Sequence, residues 1–526
     1  MDEVKRKSVT KEYDDADIEE DTPASDTSEP SNKKPKVHIT TNNDLDLSLN
    51  PHYATKDFTN MLTTVWNSNQ ENDYKHDKSD AEVYFKPFQI CLMPKLLQDK
   101  NSCRKLVDEM VHKVHWSRKQ MDLYEFYQST DLSNMSECKY LTNFLYMLRR
   151  NVRPWLEKVT NLKLDYVSAS CSMYTCGDFL LVHDDLLKDR QIAFIYYLSP
   201  WTNAEEWTEE QGGCLEIFNS DESFFPQFPV NRKISPKNNQ FAFFKVGSRS
   251  FHQVGEVTNF DYPRLTINGW FHGTSNDELI ANSLRPLNDI IFKVPEDVQV
   301  NVAEIVNEVY ITPDTCAKIQ ERIETNSEIC LYEFFKQEIF EAALKQLKTD
   351  DSLIWQCQGP ANARYYEILQ LSSASSTLDD IIKLFSSKEM FALLRKYTDL
   401  DLAGDNAKTP MFNFEIQRWT HGNYTVLGDN AICEENTLDL IYYLNAADGA
   451  GVITYLAPDA EEVDEAMHNN DYDSDDESVL LTLTPVDNSL NIVYRCLGTT
   501  KFTKYVSRNT PLNKGPVFVI SCSYKE

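Results

Sequence analysis

Apolar and polar positions divide the chain into stretches of different character. Residues 1–50 are dominated by Asp, Glu, Ser, Thr, Pro and Lys and hold almost nothing to bury, which predicts a disordered acidic tail. From Val83 the pattern changes. Val83-Tyr-Phe-Lys-Pro-Phe-Gln-Ile-Cys-Leu92 reads as a strand interrupted by Pro87, hence an edge or a bend. Over 95–116, Leu96, Leu97, Leu106, Met110 and Val114 fall at helical spacing. Residues 141–159 repeat that signature with Leu145, Leu148 and Leu156. Two such helices ahead of a sheet most simply bury their stripes on its outer face, with Phe144 and Trp155 in the contact. Short β-rich runs follow at 179–182, 192–198, 212–218, 240–246, 251–254 and 264–271, with turn residues between them. That is the pattern of a compact β-barrel or jelly roll. The acidic run 203–211 predicts a mobile rim loop.

The second half echoes the first. Trp155-Leu-Glu-Lys-Val-Thr-Asn-Leu-Lys-Leu164 is matched by Leu393-Leu-Arg-Lys-Tyr-Thr-Asp-Leu-Asp-Leu402, and Ile195-Tyr-Tyr-Leu198 by Ile441-Tyr-Tyr-Leu444. Tyr174-Thr175 finds Tyr424-Thr425, and Gly212-Gly-Cys-Leu-Glu-Ile217 a looser echo in Gly449-Ala-Gly-Val-Ile-Thr454. Four echoes in one order predict a duplicated helix-plus-barrel unit, with helices over 314–348 and 377–397. Inside the second copy, 459–477 holds ten acidic residues and no core pattern, which predicts a disordered acidic loop. Its Ser474-Asp-Asp-Glu477 is of the type acidophilic kinases prefer. The expected fold class is mixed α/β (α+β), with two barrels in tandem, each flanked by helices, over 80–275 and 300–526.

Charge and cysteines narrow the setting. The net charge is −30, which argues against general binding to a phosphate backbone and so against a direct nucleic-acid partner. It favours a basic protein partner, because complementary potentials steer encounter. Twelve Cys lack metal-type pairing, the start of the chain has no apolar signal core, and no apolar run approaches the ~20 residues of a membrane span. A soluble protein of a reducing compartment, with no membrane contact, is expected. Lys5-Arg6-Lys7 and Lys33-Lys34-Pro35-Lys36 stand out in the acidic tail; the second resembles a nuclear import signal, so nucleus and cytoplasm are the expected locations.

Chemistry concentrates in Tyr174-Thr-Cys-Gly-Asp-Phe-Leu-Leu-Val-His183-Asp184-Asp185. On a strand, His183 and Asp185 point the same way, and Asp184 points to the opposite face. With a further His252 on the barrel, two imidazoles and a carboxylate form a facial triad that leaves positions open on ferrous iron. The alternative for a lone His183 is a core histidine donating to a backbone carbonyl.

The order His-x-Asp, a distal His, then Arg264-x-Thr266 twelve residues beyond it resembles the prolyl hydroxylase branch of the 2-oxoglutarate- and iron-dependent oxygenases. Asp122-Leu-Tyr-Glu-Phe-Tyr-Gln-Ser129, Arg190-Gln-Ile-Ala-Phe-Ile-Tyr-Tyr197 and Ser250-Phe-His-Gln-Val254 resemble the ribosomal prolyl hydroxylases within it. Those carry a catalytic double-stranded β-helix and a second, inactive copy. The resemblance implies Fe(II) held by His183, Asp185 and His252, with 2-oxoglutarate and O2 as co-substrates and ascorbate as reductant. Arg264 is then the clamp for the distal carboxylate, a fork that binds it bidentately and stays charged when desolvated. Thr266, where the family more often has Ser, and Tyr197 add hydroxyl donors, and Tyr174 points to the site if strand parity holds. The implied substrate is a proline, hydroxylated at ring carbon 3, in the basic decoding-centre protein of the small ribosomal subunit.

The second copy is expected to have lost this chemistry. Cys433-Glu-Glu stands near the His183 position, Phe502-Thr503 at that of Phe251-His252, and 517–523 has no Arg. A nucleic-acid demethylase would show a basic groove and a second strand-borne Arg; a histone-demethylase type anchors 2-oxoglutarate with an earlier Lys. A scaffold in translation or stress-granule assembly is the reading from another class.

Overall fold

The helical stripes fold where their caps and neighbours allow. The helix expected over 95–116 is shorter, Lys100–His112, because Leu96 and Leu97 are held by other bonds. Their N–H groups donate to the backbone carbonyl and Oδ1 of Asn239, and Asp99 caps the helix. The stripe over 141–159 is two α-helices, Lys139–Met147 and Arg153–Thr160, joined through a π-type turn Leu148–Val152 and closed by Asn161 at φ 58°. These helices cover one face of the sheet. The Phe144 ring stacks on Tyr196 at 4.7 Å and Trp155 meets Phe243 edge-on at 6.1 Å.

The structure, a computed structural model, describes residues 47–526 apart from 69, 202–205, 284–289, 371–375, 403–408, 428–434 and 459–477. Residues 1–46 of the tail with its basic clusters, Cys433 and the 459–477 loop lie outside the described residues; the end of the tail expected to be disordered is ordered instead, with Leu47 buried and Leu49 bridged to Leu97. In the first half a 13-stranded antiparallel sheet runs from Tyr74–Lys75 through Gln240–Lys245, Arg190–Tyr197, Arg264–Gly273, Leu164–Tyr174 and Tyr124–Asp131. It continues through Phe179–His183, His252–Val254 and Leu215–Ser220 to Pro226–Ile234. Pro87 falls between the paired strands Glu82–Tyr84 and Ile90–Pro94, the expected bend. Of the 203–211 run, expected to be a mobile loop, residues 206–211 are described. There Trp207 is buried and its indole N–H donates to the Gly212 carbonyl, so the run is anchored rather than loose.

The second half has an eight-stranded antiparallel sheet and a three-stranded one. Each helical stretch expected there is broken in two. Pro313–Asn326 and Gln337–Thr349 are separated by the strand Glu328–Tyr332, and Thr377–Ser386 and Lys388–Thr398 by Ser387, which caps the second.

Register corrects one echo. Tyr174 faces Arg264 across its strand pair and stacks on Phe126 at 4.7 Å; Trp419 faces Val517 and stacks on Tyr366 at 4.9 Å, both stacks at 11°. Each is followed by the same turn. The N–H and hydroxyl of Thr175 donate to Asp178, and those of Thr420 to Asn423. The residue of the second half that shares the pairing, stack and turn of Tyr174 is therefore Trp419, not Tyr424.

Candidate active site

Two short strands bring the imidazoles together. His183 and His252 are direct partners in the antiparallel pairing of Phe179–His183 with His252–Val254. The register slips between this pair and Leu180–Val254, a β-bulge that breaks simple alternation. Leu180 and His183 consequently both line the pocket. The strand ends at His183, so alternation is not what delivers Asp185. A left-handed turn with Asp185 at φ 62° swings its carboxylate back, 3.6 Å from Nε2 of His183 and 3.4 Å from Nε2 of His252. Asp184 turns away and accepts from the Leu186 N–H.

The rings are oriented through their other nitrogens. Nδ1 of His183 lies 2.8 Å from the Leu181 carbonyl, and Nδ1 of His252 lies 2.7 Å from that of Ser250. Each Nδ1–H donates to a carbonyl, which fixes the tautomer and leaves the Nε2 lone pair facing inward. The core-histidine hydrogen bond and the ligand role therefore coexist. Burial, then the neighbouring His183, pull the pKa of His252 down to about 4, so the ring is neutral as metal ligation requires. Burial pushes the Asp185 carboxyl up, but His183, His252 and Arg190 outweigh it and hold it below the usual range. One ligand atom from each of the three residues lies within 4.8 Å of the others, a group that could hold a metal ion.

Across the pocket stands Arg264, 1% exposed. Its Nε and Nη2 make no hydrogen bond among the described residues, and no carboxylate pairs with it there. The Tyr174 and Tyr197 rings flank its guanidinium at 5.0 and 5.3 Å. Among the described residues the Tyr197 hydroxyl makes no hydrogen bond either; burial pushes its pKa up to about 12 against the pull of Arg264. Thr266 faces Tyr197 in the register, and its hydroxyl donates to Asn268 at 3.3 Å. Gly213, at φ 64°, makes room for the arginine: a Cβ there would stand 2.9 Å from Arg264 Cδ. All seven residues expected at the site are thus brought to one pocket or its wall. A buried cation with free N–H groups opposite two imidazoles and a carboxylate fits Fe(II) and a dicarboxylate together.

Arg190, the first residue of the motif that ends at Tyr197, and Trp270 join the site in roles the sequence did not assign. Arg190 lies 3.8 Å from Asp185 and over the Trp270 ring at 3.8 Å, and the indole also steadies the Asp185 carboxylate. The signal for Trp270 is its period-two spacing from Arg264, Thr266 and Asn268, which puts all four on the pocket face.

Two family models match the chain: the 2OG-Fe(II) oxygenase superfamily over 169–272, and Oxoglutarate and iron-dependent oxygenase degradation C-term over 299–526. Fold, pocket and match define a 2OG-Fe(II) oxygenase. Prolyl 3-hydroxylase sudestada1 of Drosophila melanogaster is 64% identical over 486 residues, spanning 91% of this chain and 90% of that protein. Prolyl 3-hydroxylase OGFOD1 of Xenopus laevis is 28% identical over 85% of this chain and 88% of its own length. That of Mus musculus is 29% identical over 81% and 85%. The chain belongs to this prolyl 3-hydroxylase family of the 2OG-Fe(II) oxygenases. It is a 2-oxoglutarate-dependent dioxygenase that uses Fe(II), 2-oxoglutarate and O2.

Proposed function

We propose that the chain hydroxylates ring carbon 3 of a proline in a basic protein of the small ribosomal subunit, at the decoding centre. The names of its relatives support the prolyl reaction, and the three ribosomal-type motifs with the −30 charge support the partner. The observation that carries the 2-oxoglutarate-dependent chemistry of the reading is Arg264, a buried guanidinium whose Nε and Nη2 donors are unmet among the described residues.

His183 and His252, locked as Nε2 ligands, and Asp185 would hold Fe(II). Bound Fe(II) with 2-oxoglutarate and O2 supplies the oxidising power that turns C–H into C–OH, with succinate and carbon dioxide as by-products. Arg264 takes the distal carboxylate of 2-oxoglutarate, the Tyr197 hydroxyl adds a donor to it, and the Thr266 hydroxyl adds another by turning away from Asn268. Tyr174, stacked on Phe126, closes the wall beside the guanidinium. Leu180, Leu215, Phe244 and Val254 line the pocket and exclude water. Ascorbate serves as the reductant.

The second half reads as a copy of the barrel without the chemistry. Val517 stands opposite Trp419 as Arg264 stands opposite Tyr174. Next to it Val519 faces Tyr443 as Thr266 faces Tyr197. Asp439, aligned with pocket-lining Ala193, is tied up by Lys501 at 2.6 Å and Ser523 at 2.7 Å. The basic clusters of the tail support residence in both nucleus and cytoplasm.

The direct test incubates the purified chain with Fe(II), 2-oxoglutarate and the separated small-subunit ribosomal proteins. One protein should gain a single oxygen on a proline, with succinate formed in step. Turnover of 2-oxoglutarate with no oxygen gained by any of them would overturn the substrate while leaving the enzyme class intact.

A further inference from the structure

The outer face of the two histidine strands is covered by the second half of the chain. The bulge that turns His183 inward leaves Phe179 and Leu181 on the outside, packed with Tyr424 and Val426. The Phe179 ring lies 4.2 Å from that of Tyr505. Val182 clusters with Phe218, Phe251 and Ala361 beside it. Two buried carboxylates of the first half cross the same boundary, one beside each strand.

Glu256, four residues past His252, is 8% exposed. It accepts from the Tyr505 hydroxyl at 3.2 Å, the Ser507 hydroxyl at 2.5 Å, and the Arg508 N–H at 2.9 and 3.0 Å. Its own carbonyl accepts from the N–H of Gly213, the residue that makes room for Arg264. Asp122 accepts from the Leu427 N–H at 2.5 Å. The adjacent Leu123 carbonyl accepts from the Leu181 N–H at 2.8 Å, inside the His183 strand. Hydrogen bonds to an ionised acceptor are about twice as strong as neutral ones, so these are stiff attachments.

We propose that the second half is the outer wall of the metal centre, with Glu256 and Asp122 as positioning residues through which it fixes the strands bearing His252 and His183. The proposal rests on the assignment of these histidines as ligands. Both strands are short, three and five residues, and neither holds its ring by length. Losing the attachment lets the Nε2 atoms drift relative to Asp185, and outer supports of a metal ligand are worth about 10–100-fold in affinity.

The test is titration of the full chain with Co(II), reading both Kd and the ligand-field absorption bands. The variants are Glu256→Gln, Glu256→Ala and the double variant Tyr505→Phe/Ser507→Ala, which removes two donors from the second half and leaves the first untouched. Each is checked for a wild-type circular dichroism spectrum, and the double variant stands in if Glu256→Ala fails to fold. Kd should rise about tenfold in Glu256→Ala and in the double variant, with shifted bands. Combining the two should cost less than the product of their effects. Wild-type Kd and bands in folded variants, with His252→Ala losing Co(II), would show that the interface stabilises without positioning and overturn the proposal. Unchanged Co(II) binding in His252→Ala would overturn the ligand assignment and the proposal with it.

Discussion

Arg264 is a buried charge left unpaired among the described residues, and the consequences are measurable at single residues. Replacing Arg264 with Ala should raise the KM for 2-oxoglutarate about 30-fold or more, corresponding to the ~2–5 kcal/mol lost with one partner of a buried charge pair. Lys should rescue only in part, since an ammonium lacks the planar fork. A variant that saturates like wild type would place the carboxylate elsewhere. Gly213→Ala should raise the same KM more than it weakens metal binding, because its Cβ would stand 2.9 Å from Arg264 Cδ and 3.0 Å from Val257 Cγ2, neither of them in the triad. His183→Ala or Asp185→Ala should abolish Fe(II)-dependent turnover of 2-oxoglutarate and leave the circular dichroism spectrum near wild type; full activity in either would remove the triad. These residues were legible because ligand chemistry restricts the residue types and the order His-x-Asp, His, Arg-x-Thr is unusual. Arg190 and Trp270 were not: Arg190 reaches Asp185 across the turn that joins the strands Phe179–His183 and Arg190–Tyr197, and Trp270 meets Arg190 only once that second strand pairs with Arg264–Gly273.

At the scale of elements, apolar periodicity located the helices and strands but not where they stop. The 95–116 stripe loses its first turn to Asn239, a residue far along the chain, and the 314–348 stripe is cut by a strand that pairs with Ser489–Arg495. The His183 strand carries a bulge and a left-handed Asp185, neither of which alternation foresees. The Tyr174-Thr175 echo went astray because the stacking geometry is shared by the two halves while the ring changes from Tyr to Trp. The boundary between the halves also has a pH signature. Burial pushes the pKa of Asp122 up to about 6, above its ordinary value near 3.9. Below about pH 4 the group is protonated in both folded and unfolded chains; as pH rises through about 6 the folded chain must hold a buried charge, and stability falls. Asp122→Asn removes that loss. Its stability relative to wild type should therefore increase, by on the order of 2–3 kcal/mol, between about pH 4 and pH 7. Denaturant melts across that range check it, and a pH-independent difference would mean that the carboxylate is not buried as described.

Over the whole molecule, the excess of negative charge bears on how a basic substrate arrives. Residues 459–477 concentrate ten acidic side chains, and a field of that kind raises encounter rates most at low salt. Deleting 459–477 should leave uncoupled 2-oxoglutarate turnover unchanged and slow hydroxylation of the full-length basic protein, the difference shrinking as salt rises. Equal rates at every ionic strength would take the segment out of substrate capture. The reaction itself is tested most directly in cells. Small-subunit ribosomal proteins would be compared by intact mass and fragmentation from cells carrying the wild-type chain, its His183→Ala variant, or neither. One basic protein should carry one additional oxygen on a single proline in wild-type cells and lack it in the other two. Identical masses in all three would contradict a ribosomal prolyl hydroxylase.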